Sequence, residues 1–172
     1  PGTLIFSLPT CVPCRQTKIN RQDSLLKHKT ITMIPLQELR IGNFVIANDA
    51  IQQVSMIDQA TLMAAVKRPG DRQPYHQLSL DTIEPVILTD EILEQCGFRY
   101  HTYFKFWQLI ESSDGIRSEM DIDNDYAIID FMRKPIAKNL MALHQLQNSY
   151  FILKGKELGY IPKQLTPKLE TA

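Results

Sequence analysis

The stretch FVIANDAIQQVSMIDQATLMAAVKRPGD, residues 44–71, decides the fold class, because short apolar runs alternate in it with turn-forming residues. Its Asn48-Asp49 pair and its Arg68-Pro69-Gly70-Asp71 run are typical turn sequences. Together with the residues that follow, it predicts the strands 44–47, 51–57, 61–67, 75–80 and 83–88. Strands this short and this closely spaced predict a small, strongly bent antiparallel barrel of SH3-like type over 33–88.

The pattern changes after this region. Thr89 can cap a helix, two carboxylates follow it, and Gly97 is suited to end a helix of about two turns. Further strands are predicted at 105–111, 116–122 and 126–132, and a C-terminal helix at 137–158. That helix has an apolar stripe formed by Leu140, Leu143, Leu146, Tyr150, Phe151 and Leu153. The sequence therefore predicts an α+β protein in which 89–160 form a short helix, an antiparallel sheet and a packing helix.

Length and composition limit the classes of function. The chain has 172 residues, of which 44% are apolar and 22% charged, as is usual for one globular domain. Basic and acidic residues both number 19, so a generally basic nucleic-acid coat is excluded and nucleic acid is an unlikely main partner. Apolar runs are far shorter than the roughly 18 residues of a membrane span. Three cysteines are too few for a disulfide framework, which predicts a reducing, cytoplasmic location.

The first 32 residues differ from the rest in charge and in apolar content. They carry five basic side chains and one acidic one, and large apolar residues are sparse between Thr17 and Thr32. We predict that 1–32 are a poorly packed leader or extension and that 33–160 form a single domain. Two prolines predict a loose tail at 161–172.

Cys11 and Cys14 form the sharpest chemical motif, a Cys-x-x-Cys pair after a short apolar run. In dithiol redox proteins a helix N-terminus lowers the pKa of the first thiol, and the second thiol resolves the mixed disulfide. Residues 3–18 resemble the opening of glutaredoxin-like and thioredoxin-like redoxins, and this resemblance implies thiol–disulfide chemistry as an alternative function. No redoxin-sized βαβ unit follows, and Pro35 is too close to serve as the family's cis-proline. Two other interpretations are an incidental fragment and a thiol or metal site that a partner completes.

The other candidate sites lack the residues that calcium, zinc or general-base chemistry needs at the required spacing. The run Asp121–Asp125 begins like a calcium loop, but Tyr126 and Met132 occupy the positions that require Gly and Glu. Zinc needs four well-spaced ligands, whereas Cys96 and the four histidines are scattered. His144 is a candidate general base with no nucleophile paired to it by sequence. We therefore predict no catalytic residue, metal or cofactor.

Six of the aromatic residues lie between Phe98 and Trp107, interleaved with basic residues. On one continuous strand, alternation would place half of these residues toward the core and half outward. This pattern predicts a contact surface formed by Arg99, Tyr103, Lys105 and Trp107. The same mixture of bases and aromatics is also found in nucleic-acid-binding modules, which leaves that class as a second alternative.

Three segments carry a resemblance over most of the chain. They are LQELRIGNFV at 36–45, IEPVILTDEILEQCGF at 83–98 and LHQLQNSYFILKGKEL at 143–158. With these segments, residues 36–158 resemble a group of uncharacterised small proteins of Bacteroidota and their prophages. The resemblance implies no catalytic residue. It favours a non-enzymatic interaction or structural accessory protein, of prophage or mobile-element origin, that binds an unknown protein partner or associates with itself.

Overall fold

The computed structural model describes residues 33–68, 76–113 and 116–161. These residues form two five-stranded antiparallel sheets and two α-helices, which confirms the predicted mixed α+β class. Neither helix of this described part is long and apolar enough to cross a membrane. The predictions made for 1–32 and 162–172, including the Cys11–Cys14 pair, lie outside the described residues.

The first sheet follows the predicted strands: the first four form a meander, and the fifth returns to pair with the first. Its members are β1 Phe44–Ala47, β2 Ala50–Asp58, β3 Met63–Lys67, β4 His76–Ser79 and β5 Glu84–Pro85. The spatial order is β4-β3-β2-β1-β5. Asn48 and Asp49 both have positive φ, 51° and 57°, which is the conformation that a two-residue hairpin turn requires. Asn and Asp tolerate it better than other non-glycine residues.

No pairing between β4 and β5 closes this sheet into a barrel within the described residues, so the predicted closure is not found there. The predicted strand 83–88 pairs with β1 only at Glu84 and Pro85. Beyond that point its backbone turns to a different partner, because Leu88 N–H donates to Met141 O at 2.9 Å and Ile87 forms a bridge with Ala142. The end of this strand is therefore used to fix the start of the C-terminal helix.

The short helix α1, Asp90–Gln95, begins as predicted: Thr89 Oγ1 accepts a hydrogen bond from Ile92 N at 3.3 Å. Gly97 follows its end with φ of +89°. The second sheet comes next and has the order β10-β9-β8-β7-β6. Its strands are β6 Arg99–His101, β7 Phe106–Ser113, β8 Ile116–Ile122, β9 Ile128–Ile129 and β10 Pro135–Ala137.

Two predicted elements are longer than the observed ones. The strand predicted at 126–132 is reduced to β9, because the side chains of Asp123 and Asp130 accept backbone N–H groups on both sides and hold turns there. The predicted helix 137–158 is α2, Leu143–Lys154. Its start is delayed because Ala137 still pairs with Ile128 in the sheet. It ends at Gly155, which has φ of +70°.

Helix α2 connects the two sheets. Leu143, Leu146 and Tyr150 are fully buried in the larger apolar core, which includes residues of α1 and of the inner face of the second sheet. Phe151 and Leu153, predicted to belong to the same stripe, are instead 38% and 45% exposed. A smaller core fills the first sheet around Val45, Val54, Ala64, Val66 and Ile83.

Candidate contact surface

The aromatic segment at 98–107 is not one strand but a hairpin. Residues 102–105 form a turn between β6 and β7, and Lys105, with φ of +57°, donates its N–H to His101 O at 2.7 Å. After this turn Trp107 pairs with Tyr100 and faces the core, where it is only 5% exposed. The predicted outward position of Trp107 is therefore wrong, because a four-residue turn shifts the alternation. Arg99, Tyr103 and Lys105 are exposed, as predicted.

The turn brings several rings together on the outer side of the second sheet. The Phe104 and Phe106 rings stack with centroids 6.0 Å apart, and the Tyr103 ring meets Phe104 edge-on at 4.9 Å. His101 lies 4.9 Å from the ring of Phe104. Tyr103 is nevertheless 82% exposed. Its ring contacts therefore hold it in position without covering it.

A second turn, Asp130–Lys134, carries further apolar side chains to the surface. Asp130 Oδ1 accepts N–H groups from Met132 at 2.9 Å and from Lys134 at 2.7 Å, so the carboxylate shapes the turn. Phe131 is 92% exposed and Met132 is 61% exposed. Asp130 thus bonds the backbone N–H groups within the turn, and the side chains of Phe131 and Met132 remain exposed to solvent.

Arg133 joins the two turns. Its guanidinium carbon lies 5.7 Å from the ring centroid of Phe104 and 5.6 Å from that of Phe106, within the range of cation–π attraction. We call the apolar residues that these turns present the aromatic surface; they are Tyr103, Phe104, Phe106, Phe131 and Met132.

A groove of about 500 Å³ lies beside β6, which is an edge strand of the second sheet. Its lining residues come from β6, β7 and the turn before them: Gly97, Arg99, Tyr100, His101, Gln108 and Ile110. Arg99 pairs with Gln108 across the two strands, and His101 pairs with Phe106. The side chains of these pairs share the outer face of the sheet. The groove is therefore continuous with the aromatic surface through Phe106.

The basic and acidic side chains around this region differ in their partners. The exposed cations Arg99, Lys105, Arg133 and Lys134 make no ion pair with any other described residue. The acidic residues nearby are held instead: Asp121 Oδ1 accepts from Gln108 Nε2 at 3.0 Å, and Asp123 Oδ1 accepts two backbone N–H groups at 2.9 Å. The turn that Asp123 holds lies in the stretch Asp121–Asp125, which begins like a calcium loop.

The remaining candidates for chemistry serve the fold where they are described. No group of three or more His, Cys, Asp or Glu residues that could hold a metal occurs among residues 33–68, 76–113 and 116–161. Cys96 is buried, and its burial raises the pKa of the thiol to about 12, so it stays protonated. His144 is buried too, with Nε2 at 3.3 Å from Glu38 Oε2. Burial lowers the pKa of His144 and outweighs the opposite effect of Glu38.

His144 belongs to a polar helix latch, the contact of α2 with the chain around Glu38–Phe44. Gln147 Oε1 accepts Phe44 N–H at 2.9 Å, and Asn148 Oδ1 accepts from Asn43 Nδ2 at 3.0 Å. Gln145 Nε2 donates to Glu38 Oε2 at 2.9 Å. Buried amides of this kind are costly when unpaired, so the latch fixes one docking position for the helix.

The opposite end of α2 is tied to the second sheet. Tyr150 donates its hydroxyl to Glu111, and Lys156 Nζ lies 2.8 Å from the same carboxylate. Burial tends to raise the pKa of Glu111, but hydrogen bonds from Lys156 and Tyr150 and the charge of Lys156 and Lys154 lower it overall. Glu111 is therefore held ionised as an anchor for the helix.

The three segments 36–45, 83–98 and 143–158, which the sequence analysis singled out, meet at α2. Segments 36–45 and 143–158 form the helix latch. Segment 83–98 joins them through its backbone, since Leu143 N–H donates to Val86 O at 2.8 Å. Glu38, Asn43, Gln145, Gln147 and Asn148 thus have structural partners in this contact.

No family model matches the sequence, and no curated protein or solved structure is significantly similar to the chain. The aromatic surface thus has to be interpreted from its own residues. Sequence reasoning missed Phe131, Met132 and Arg133. The signal that could have found them is the run DFMRKP at 130–135, where two large apolar residues stand between a turn-forming Asp and a Pro.

Proposed function

We propose that this protein is a non-enzymatic accessory protein that binds a protein partner through the aromatic surface. The observation that carries the proposal is the near-complete exposure of two aromatic side chains, Tyr103 at 82% and Phe131 at 92%, on two turns joined by Arg133. Exposed rings of this size are a cost to an isolated domain, and covering them is the usual way in which partners gain affinity.

The size and composition of the surface fit this role. Aromatic side chains present about 200 Å² each, so the exposed fractions of Tyr103, Phe104 and Phe131 amount to roughly 400 Å² before Met132 is added. Exposed apolar area of about this size is typical of the largest patch on a monomer, which is often a functional surface. Tyr, Phe, Met and Arg are also the residues enriched at the centre of protein interfaces.

The wider identity of the protein is part of the same proposal. The strand order β4-β3-β2-β1-β5, with a 3₁₀ turn at Leu80–Thr82 before β5, supports an SH3-like origin for the first sheet. The resemblance over 36–158 supports a place among prophage or mobile-element proteins of Bacteroidota. The contact of His144 with Glu38 and the burial of Cys96 in the apolar core support a binding role over an enzymatic one. The three cysteines support the cytoplasm as its location.

A displayed library of random peptides, selected on the immobilised full chain, tests the proposal. Recovered peptides should lose binding to a Tyr103→Ser, Phe131→Ser double variant. They should keep it with the matched control Leu62→Ser, Ile152→Ser, whose residues are 55% and 80% exposed elsewhere. Sedimentation velocity of the same proteins shows whether the partner is a second copy. Peptides that bind both double variants equally well would refute the proposal.

A further inference from the structure

We propose that the partner contributes an extended acidic peptide segment, which lies in the groove beside β6 and places an apolar side chain on the aromatic surface. This inference rests on the proposed function and names the chemistry of the partner. Three features carry it: the edge position of β6, the cations of this region that make no ion pair within the described part of the chain, and the continuity of the groove with the exposed rings.

The edge of the sheet supplies the backbone part of the site. β6, Arg99–His101, pairs with β7 on one side, and no described strand lies on its other side. All three of its residues are exposed. An extended peptide can add to such an edge by main-chain hydrogen bonds, and adjacent side chains then determine which peptide fits. The groove of about 500 Å³ next to β6 gives room for those side chains.

The charges determine which peptide fits. Arg99 and His101 line the groove, and Lys105, Arg133 and Lys134 stand around the aromatic surface without an ion pair among the described residues. The carboxylates on the same side are engaged with their own neighbours: Asp121 with Gln108, and Asp130 with the backbone of its own turn. Hydrogen bonds from neutral donors fix these carboxylates in place but leave them charged. A ligand that fits therefore has a few separate Asp or Glu side chains, which meet the cations and stay clear of Asp121 and Asp130.

The exposed rings supply the apolar part. Tyr103 is fixed edge-on against Phe104, and Phe104 is stacked with Phe106, so a partner side chain meets a surface that is already ordered. Preorganised aromatic groups lose little entropy on binding. Charged contacts at the border of such a patch mainly steer the partner and select it.

A second copy and a nucleic acid fit these features less well. A two-fold contact between two copies would bring Arg133 and Lys134 near the same cations of the other chain, which is repulsive. A single strand of nucleic acid carries evenly spaced phosphates, and some of these would face Asp121, Asp123 or Asp130. A peptide places its few charges individually and avoids both conflicts.

Three displayed peptide libraries that differ only in the residue fixed at alternate positions test the inference: Glu, Gln or Lys. Selection is made on the full chain, with randomised apolar residues at the positions between. We expect clones from the Glu library to exceed those from the Gln library about tenfold, and the Lys library to give none, as a single charge pair is worth about that factor.

Two variants locate the charge effect. Arg99→Gln combined with Arg133→Gln should weaken a recovered Glu peptide about tenfold or more, as measured by fluorescence polarisation. Arg117→Gln is the matched control, since Arg117 is an exposed arginine of the same sheet that is paired with Glu119 at 2.7 Å. Circular dichroism confirms that the variants fold. An oligo-dT strand is tested for competition.

Each outcome decides the inference. Equal recovery from the Glu and Gln libraries, with binding still lost on Tyr103→Ser, would overturn the acidic partner and leave the proposed function standing. Tighter binding of oligo-dT than of any peptide would overturn the inference of an acidic peptide and indicate nucleic acid as the ligand. Recovery from no library would refute the inference and the proposed function together. Loss of the Glu peptide with the Arg117 control alone would show that the groove was wrongly chosen.

Discussion

Trp107 and Tyr103 lie four residues apart in one aromatic segment, and the structure predicts opposite consequences when each is changed to Ala. Trp107 is 5% exposed and its ring packs 5.1 Å from that of Tyr100 in the larger core. Removing a buried Trp side chain costs about 3–5 kcal/mol through lost burial and the cavity that remains. Tyr103 is 82% exposed, so its removal should change the free energy of unfolding by less than about 0.5 kcal/mol.

Urea unfolding followed by far-ultraviolet circular dichroism measures both variants without relying on the fluorescence of the lost Trp. With a denaturant slope of about 2 kcal/mol/M, Trp107→Ala should lower the midpoint by roughly 2 M, a large share of the stability of a domain this size. Tyr103→Ala should move the midpoint by less than about 0.3 M. Equal midpoints for the two variants would show that the hairpin register, and with it the aromatic surface, is wrong.

Three further predictions concern the helix, its buried histidine and the cysteine pair. Leu146→Ala should lower the free energy of unfolding in urea by about 2–5 kcal/mol, because Leu146 is fully buried. Phe151→Ala should lower it clearly less, because Phe151 is partly exposed under the guanidinium of Arg40. A larger loss of stability for Phe151→Ala would contradict this. Burial lowers the folded-state pKa of His144. Its contribution to stability is therefore complete above about pH 6.5 and is lost as the pH falls through the folded pKa. His144→Gln should remove that part of the pH dependence of stability, and unchanged acid sensitivity would assign the pH dependence to other groups. The full chain should reduce insulin no faster than its Cys14→Ser variant, and turnover that vanishes in the variant would establish the redoxin alternative.

The sequence predicted best those elements whose signals are local. The hairpin at Asn48-Asp49 and the cap at Thr89 depend on the preferences of one or two residues, and both are observed. The helix start was misplaced because Ala137 has no local signal against helix and is held in a strand by pairing with Ile128. Such long-range pairing overrides propensity and cannot be read from neighbouring residues.

The register error in the aromatic segment has a different cause. The turn residues Thr102-Tyr103-Phe104-Lys105 include no Gly, Pro, Asn or Asp, so nothing in the sequence marks a chain reversal. Period-two alternation was therefore continued through a turn, and a shift in alternation moves every later side chain to the other face. Phe131 and Met132 were missed for a related reason: the turn that exposes them depends on the bonding of Asp130, within a mostly apolar stretch, 126–132, that was predicted as a strand.

The scaffold and the candidate site use different parts of the chain. Segments 36–45, 83–98 and 143–158 form the scaffold around α2: side chains join the first to the last, and the backbone of the second holds the start of the helix. The aromatic surface comes from 103–106 and 131–132, outside all three segments. Tyr103, Phe131 and Met132 contribute little to the core, since most of their area is uncovered. A protein that shares only the scaffold segments would therefore keep the fold and lose the surface. Binding of the recovered peptides by a relative with different residues at these turns would refute this division, because it would place the site on the scaffold itself.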